Sequence, residues 1–305
     1  MDIDTQLNMF EGQPPKGEDW TIGVELECLI PRDYADNIDI GDYHCGEPVY
    51  DAPRFGCNRW TVEHDSSVDT RQQDMYACEF VSPILVGQEG VQHVLAFTEW
   101  LKNLPSGVNQ SCGMHVHVGI DSVIGRGASS AKVVNFLTKV AHLTYRWQEA
   151  LYAQSGTRRD RNSYCGRIQD ESHWVINVRE EHEKPDSAKD RHRNSLNHLE
   201  RYHAVNLQNM NGKGTVEFRA FAGTLNKQKM LHALWTVYSI IHNAKRNVSV
   251  KNLPFRQKSP GQGAESLKWF YHHLGRNYFL PAFRDNFQPM RRIAERMAAQ
   301  YDARV

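Results

Sequence analysis

Three segments of this sequence alternate apolar and polar residues along their length. The most regular, Gly113–Gly119, alternates methionine or valine with His115 and His117. Thr21–Cys28 and Thr215–Phe221 repeat the pattern. A period of two is that of a β-strand, because successive side chains point to opposite faces. The alternation therefore predicts three strands, each with one apolar face and one polar face.

The polar faces of these strands carry ionisable side chains. Glu25 and Glu27 share a face of the first strand, and Glu217 and Arg219 share a face of the last. A shorter apolar run adds Glu79. If all these strands pair in one sheet, four carboxylates, two imidazoles and one guanidinium meet on one face.

Such a face would be strongly acidic and half-buried. Like charges in that setting are costly unless cations neutralise them, and one arginine is too little. A divalent metal is the natural partner, and oxygen-rich ligands with some nitrogen favour Mg²⁺ or Mn²⁺ over a structural zinc. An isolated His-x-His pair more often belongs to an ordinary sheet, so the metal hypothesis depends on the glutamates.

Helical periodicity is interleaved with the strands and dominates the C-terminal part. The predicted helices are 88–104, a long helix capped by Ser129 or Ser130 and stopped by Gly156, 227–246, 264–274 and 287–300. Strands and helices together predict an α+β fold. We expect a flexible lead-in at 1–19, a catalytic domain at 20–250 and a C-terminal helical extension at 251–305 packed on the same domain.

Two long segments lack periodicity. Residues 32–59 are rich in Asp, Gly, Pro, Tyr and Asn, and a segment of this length favours a functional or mobile region over a plain loop. Residues 157–201 are crowded with charge and either form a solvated loop or supply arginines for anion binding. Those arginines are Arg158, Arg159, Arg161, Arg167 and Arg201.

Two short features complete the candidate chemistry. A strand predicted at 60–65 carries Glu63 and Asp65, which either deprotonate an attacking ammonium or only cap the following turn. The Gly212–Lys213–Gly214 stretch lacks the spacing of a P-loop, so it is predicted to be a hairpin turn.

Charge, hydrophobicity and cysteine content limit the classes of protein to which this chain can belong. Lys and Arg total 36 and Asp and Glu total 36, so no bulk charge indicates nucleic acid or a membrane surface. No apolar run approaches the ~20 residues of a membrane span, and the N-terminus lacks a signal-peptide core. The six cysteines are scattered, which suits reduced thiols. We therefore expect a cytoplasmic protein.

The order of four motifs identifies a family. They are G-V-E-L-E at 23–27, C-G-M-H-V-H at 112–117, R-Y-H-A-V-N at 201–206 and T-V-E-F-R at 215–219. Together they resemble the amidoligases of the glutamine synthetase and glutamate–cysteine ligase superfamily. The resemblance covers residues from about Thr21 to Asn226.

The resemblance implies a fold and a chemistry. In that superfamily an antiparallel sheet binds divalent metals on its concave face, helices pack on the other face, and ATP enters one end of the channel. The acceptor carboxylate is phosphorylated, an amine attacks the acyl phosphate, and ADP and phosphate are released. The implied cofactors are ATP and Mg²⁺ or Mn²⁺.

The resemblance also implies metal ligands. Glu25, His115 and Glu217 would bind the metal that bridges the ATP phosphates. Glu27 and Glu79 would bind the metal near the acceptor carboxylate. His117 would lie behind the ligands or deeper in the channel.

Roles for arginines and one amide follow from the same motifs. Arg219 would contact the transferred phosphoryl group, and Arg201 would contact phosphate or substrate. Arg159 and Arg161 belong to an R-x-x-x-x-Y-C element, and they and Asn206 are expected at the nucleotide.

A carboxylate–amine ligase is thus the main hypothesis, and two alternatives stay open. A metal-dependent hydrolase would leave Arg219 and Arg201 without a role. A degenerate metal- or nucleotide-binding regulatory protein would not need the full ligand set, which is present. The partners of a ligase would be a small-molecule or peptide carboxylate acceptor and an amine donor, with no membrane.

Overall fold

The strands of this protein form one antiparallel sheet. The computed structural model describes residues 17–70, 74–168, 201–210, 212–246, 261–274 and 280–304. The strands are β1 (Thr21–Pro31), β2 (Glu47–Pro48), β3 (Thr61–His64), β4 (Met75–Val81), β5 (Leu85–Val86), β6 (Gly113–Gly119), β7 (Val205–Asn206) and β8 (Thr215–Ala222). Their order is β2-β3-β4-β1-β6-β8-β7, with β5 on the start of β1. The mixed α/β content and the antiparallel sheet predicted from the sequence are confirmed.

The two faces of the sheet differ as the alternation predicts. Val24 and Leu26 of β1 and Val116 of β6 lie on the apolar face and are almost fully buried. The opposite face, called the polar face below, carries the ionisable side chains. Its members are Glu25 and Glu27 (β1), Glu63 (β3), Glu79 (β4), His115 and His117 (β6), and Glu217 and Arg219 (β8).

Helices form the layer on the apolar side of the sheet, and the last two pack on neighbouring helices. They are α1 (Arg32–Ala35), α2 (Gly87–Asn103), α3 (Ile120–Ile124), α4 (Ser130–Ala153), α5 (Lys227–Lys245), α6 (Gly263–His273) and α7 (Pro281–Asp302). Trp60 beside β3 stacks on Phe97 of α2 with ring centroids 3.6 Å apart, and Trp235 of α5 is also fully buried. Each such side chain contributes about 1.5–3 kcal/mol by leaving water.

The helix boundaries follow local signals, with one exception. The Ser129 hydroxyl caps α4 by accepting a hydrogen bond from the Lys132 N–H at 3.3 Å. The last helix begins at Pro281 rather than at the predicted 287, because Pro281 suits a first helical turn. Phe283 and Phe287 are buried along one side of the extended helix, which continues through Pro289.

The irregular segments are partly described. Residues 32–59 contain only α1 and β2 as regular elements, as their composition predicts. The charged segment lies outside the described residues from 169 to 200, as does the lead-in from 1 to 16. In its described part Arg158 binds Asp160 at 2.8 Å and Arg167 binds Glu149 at 2.7 Å.

Two further observations concern the thiols and the length of the helices. The six cysteines are all unbonded thiols, including the buried cross-strand neighbours Cys28 and Cys78, whose sulfurs lie 3.9 Å apart. Of the described helices, none combines the length and the apolar character that crossing a membrane requires.

Candidate active site

Strand register places the ionisable residues in neighbouring rows across the polar face. Glu63, Glu79 and Glu27 are consecutive partners on β3, β4 and β1. In the next row Glu25 is opposite His115. The third row contains His117, Glu217 and Asn206 on β6, β8 and β7. Antiparallel pairing brings directly opposed side chains to about 4.5–5.5 Å, so the register alone concentrates these groups.

His115 lies at the centre of the cluster and is almost fully buried. Its Nδ1 lies 3.1 Å from Glu25 Oε2, and its Nε2 lies 3.3 Å from Glu27 Oε1. The same Nδ1 lies 3.6 Å from carboxylate oxygens of both Glu79 and Glu217. The predicted convergence of these five side chains on one face is therefore confirmed, whereas their role as metal ligands stays a prediction.

His117 also faces the cluster. Its Nε2 lies 3.0 Å from Glu25 Oε1, and its Nδ1 lies 3.1 Å from the Thr215 hydroxyl. Glu25 is thus shared between the two histidines, one on each carboxylate oxygen. His117 is as close to a candidate ligand as His115 is.

Burial and charge shift the proton affinities in opposite directions. Burial, with Glu25 and Glu27 beside it, raises the pKa of the Glu79 carboxyl well above its ordinary value. Burial would also raise the pKa of Glu25, but His117 and His115 hold that pKa well below its ordinary value. Burial lowers the pKa of His117, but Glu25 outweighs burial and leaves that pKa raised. Protons on Glu79 and His117 therefore offset part of the negative charge of the polar face, as expected where like charges lie close together.

The donor atoms fit a divalent metal. Three sets of side chains bring one ligand atom each within 4.8 Å of the others: Glu25, Glu79 and His115; Glu25, His117 and Glu217; and Glu27, Asp65 and Glu79. Each set is rich in carboxylate oxygen, which suits Mg²⁺ or Mn²⁺. The sets differ from the grouping implied by the resemblance, since Glu217 falls with His117 and Glu79 belongs to two of them.

Glu217 is oriented by three donors. Asn206 and Asn209 donate side-chain N–H groups to its Oε2 at 2.8 and 2.7 Å, and Arg219 donates to its Oε1. Asn206, expected at the nucleotide, therefore contacts a candidate metal ligand. Asn209 was missed by the sequence reasoning, although its spacing of three from Asn206 in a turn is a usable signal.

Two arginines lie against the polar face. Arg219 donates from Nε to the Tyr164 carbonyl at 3.1 Å, so the R-x-x-x-x-Y-C element holds it. Arg159 is almost fully buried, and its Nη1 donates to the Ser111 carbonyl at 2.7 Å. The Arg159 Nε has no hydrogen-bond partner among the described residues. A buried guanidinium with a free donor is suited to bind an anion.

The remaining predicted residues surround the cluster, with Glu63 buried in its first row and Arg201 at the rim. Arg201 donates to the Tyr43 hydroxyl at 3.0 Å, and Arg161 is exposed. Glu63 accepts the His44 backbone N–H at 3.1 Å. Asp65 accepts the Ser67 backbone N–H at 2.7 Å and still faces Glu27 and Glu79, so it both caps the turn and joins the cluster.

Lys213 joins the cluster unexpectedly. The predicted turn is present, and the Lys213 Nζ at its centre lies 3.3 Å from Glu25 Oε1. More than half of the Lys213 side chain stays exposed. The sequence does not predict this contact, because a lysine between two glycines belongs to no periodic pattern.

Comparisons with known proteins point to one family. No curated protein matches this chain. A solved structure, a bifunctional glutathione synthetase from Pasteurella multocida, aligns at 14% identity with a TM-score of 0.37. That alignment covers 99% of this chain and 53% of the other, so the chain spans about half the length of that protein. A family model described as "putative amidoligase enzyme" matches residues 18–240, a range that contains every residue of the cluster. This chain belongs to that amidoligase family.

Proposed function

We propose that this protein is an ATP- and Mg²⁺-dependent carboxylate–amine ligase that forms an amide bond through an acyl phosphate. The observation that carries the proposal is the convergence of Glu25, Glu27, Glu79 and Glu217 around His115. The order of the motifs along the chain supports placing its sheet in the glutamine synthetase and glutamate–cysteine ligase superfamily. Mn²⁺ would be able to replace Mg²⁺.

The carboxylates and imidazoles of the polar face would hold the metals. Bound there, Mg²⁺ would neutralise the ATP phosphates and orient the terminal phosphoryl group. Asn206 and Asn209 would keep the Glu217 carboxylate in one orientation, because both donate to the same oxygen. Such supporting contacts typically matter by 10- to 100-fold in metal affinity.

The arginines would bind the anionic reactants. Arg219 is fixed by Glu217 and by the Tyr164 carbonyl, so its remaining N–H groups can donate to the transferred phosphoryl group. The Arg159 Nε, which no described residue accepts a hydrogen bond from, supports a contact with the acceptor carboxylate or a phosphate. Arg201 at the rim would contact the nucleotide or the substrate as it enters.

The reaction consists of two transfers. An acceptor carboxylate oxygen attacks the terminal phosphorus of ATP, the bond to the β-phosphate oxygen breaks, and ADP leaves. The amine nitrogen then attacks the acyl carbon, and phosphate leaves with one oxygen of the original carboxylate. Glu63 or Asp65 would take the proton that the attacking ammonium loses, since both border the cluster.

Amine-dependent ADP release tests this function. Amino acids and polyamines would be screened against mixed carboxylate acceptors with ATP and Mg²⁺. Once a pair is found, ¹⁸O in the acceptor carboxylate should appear in the released phosphate. Formation of AMP and pyrophosphate, or retention of all label in the acceptor, would rule out the acyl-phosphate route.

A further inference from the structure

Lys213 lies on a short turn that holds its backbone but leaves its side chain room to move. The Lys213 N–H donates to the Asn209 carbonyl at 2.9 Å, and the Gly214 carbonyl accepts from the Ile120 N–H at 3.1 Å. A Cβ added at Gly212 or Gly214 would meet nothing within 4 Å. The backbone is therefore anchored, and the lysine stem extends from an open turn.

The Lys213 ammonium occupies a position that favours any cation. Its Nζ lies 3.3 Å from Glu25 Oε1, and the Glu25 carboxylate is a member of two of the candidate metal sets. The lysine side chain is 56% exposed, whereas that of Glu25 is 12% exposed. The ion pair thus joins a buried acid to a cation that solvent can reach.

A divalent metal and the Lys213 ammonium would repel each other if both bound the Glu25 carboxylate. Two positive charges a few ångströms apart repel each other, and solvent around the half-exposed lysine screens that repulsion to a modest size. The lysine is the mobile partner, because its four-carbon stem is flexible and its turn is exposed. Once displaced from Glu25, the ammonium would need another anion, and the proposed function supplies one in the phosphates of the nucleotide.

We propose that Lys213 moves between Glu25 and the phosphates of bound nucleotide, and so couples nucleotide binding to metal binding. The inference rests on the ligase function proposed above. Without nucleotide, Lys213 competes with the metal for Glu25 and weakens metal binding. With nucleotide, Lys213 contacts phosphate and releases Glu25 to the metal. Coupling of this kind is reciprocal between the two ligands.

Opposite effects of one substitution test this proposal. Lys213→Met removes the charge and keeps much of the stem. Titration calorimetry with MnCl₂ alone should show about two- to fivefold tighter Mn²⁺ binding than wild type, the range of a half-exposed ion pair. Titration with an ATP analogue bearing a β,γ-imido bridge, at saturating Mn²⁺, should show about two- to fivefold weaker binding.

Two further variants serve as controls. Lys213→Arg keeps the charge and should stay near wild type in both titrations. Lys102→Met removes another lysine paired to a carboxylate, Glu99 at 3.1 Å on α2, and should change neither affinity.

The outcomes separate the two proposals. Tighter Mn²⁺ binding without weaker nucleotide binding would make Lys213 a simple counter-ion and overturn the coupling. Unchanged affinities in Lys213→Met would overturn it as well. If wild-type protein binds neither Mn²⁺ nor the analogue, the ligase function itself fails and the coupling fails with it.

Discussion

Replacing Gly113 with alanine tests how closely Arg159 is fitted against the polar face. Gly113 begins β6, and a Cβ built there would lie 2.4 Å from Arg159 Nη2 and 3.1 Å from His115 Nε2. Optimal contacts are about 3.5–4.0 Å, so the guanidinium would have to retreat by roughly 1 Å. Arg159 has little freedom to do so, because it is buried and bonded to the Ser111 carbonyl.

The expected magnitude is a balance of opposing effects. Alanine in place of glycine in a strand favours folding by about 0.5–1 kcal/mol through lower chain entropy. Overpacking costs about 1–3 kcal/mol, and weakening a charged hydrogen bond costs about 1.5–3 kcal/mol. The two costs outweigh the entropic gain, so we expect Gly113→Ala to lower the free energy of unfolding by about 1.5–5.5 kcal/mol.

Gly23 supplies the matched control. It lies on the same face of neighbouring β1, but a Cβ there would meet His117 Cβ at 3.5 Å, an ordinary contact. Gly23→Ala should therefore be neutral or stabilising by up to about 1 kcal/mol. Urea denaturation of both variants measures the difference directly.

A double-mutant cycle assigns the cost to Arg159. In an Arg159→Ala background only the milder contact with His115 remains, so Gly113→Ala should lose most of its penalty and show a coupling of about 1 kcal/mol or more. A 1 Å shift of Arg159 should also reduce ligase rate by about 10²-fold. The reasoning is refuted if Gly113→Ala is as stable as Gly23→Ala, or if its cost persists without the arginine.

Three further predictions concern other parts of the structure. His115→Ala should keep the fold and abolish detectable Mn²⁺ binding by calorimetry, whereas His117→Ala should weaken it by about 10- to 100-fold; the reverse order would exchange their roles. Arg219→Ala should cost about 10³-fold in amine-dependent ADP release and about 1.5–3 kcal/mol of unfolding free energy through the lost bond to Glu217, and near-normal turnover would contradict the first expectation. Burial lowers the pKa of His232, which contacts Gln154 and Tyr271, to about 3. Below about pH 6.5 this histidine therefore binds a proton in the unfolded chain but not in the folded protein, and the free energy of unfolding falls as pH drops. The loss should reach about 1.4 kcal/mol between pH 8 and 5.5 in urea titrations, and His232→Gln should remove it; an equal pH slope in that variant would count against it.

The sheet and its polar face are largely predictable from the sequence. A period of two fixes which side chains share a face, so the convergence of Glu25 and Glu217 near His115 follows once the strands pair. Helix ends with clear local signals, such as Ser129, are also predictable. The start of α7 is not, because Pro289 resembles a first-turn proline and conceals the earlier Pro281.

The contacts made by loops were beyond the sequence. Lys213 and Asn209 reach the cluster from a turn whose direction depends on how β7 and β8 pair. Likewise Arg201 meets Tyr43, which is 158 positions away in the chain. No periodic pattern in the sequence predicts these side-chain contacts, because tertiary packing sets the direction of side chains in an irregular segment. The grouping of these side chains into candidate metal sets has the same origin.

The central claim is that the polar face binds divalent metal together with ATP. Anomalous diffraction from crystals grown with Mn²⁺ and the β,γ-imido analogue of ATP tests it most directly. We predict manganese peaks among the side chains of Glu25, Glu79, His115 and Glu217, with the terminal phosphate of the analogue directed toward Arg219. Nucleotide bound elsewhere, or well-diffracting crystals without an anomalous peak on the polar face, would contradict the account.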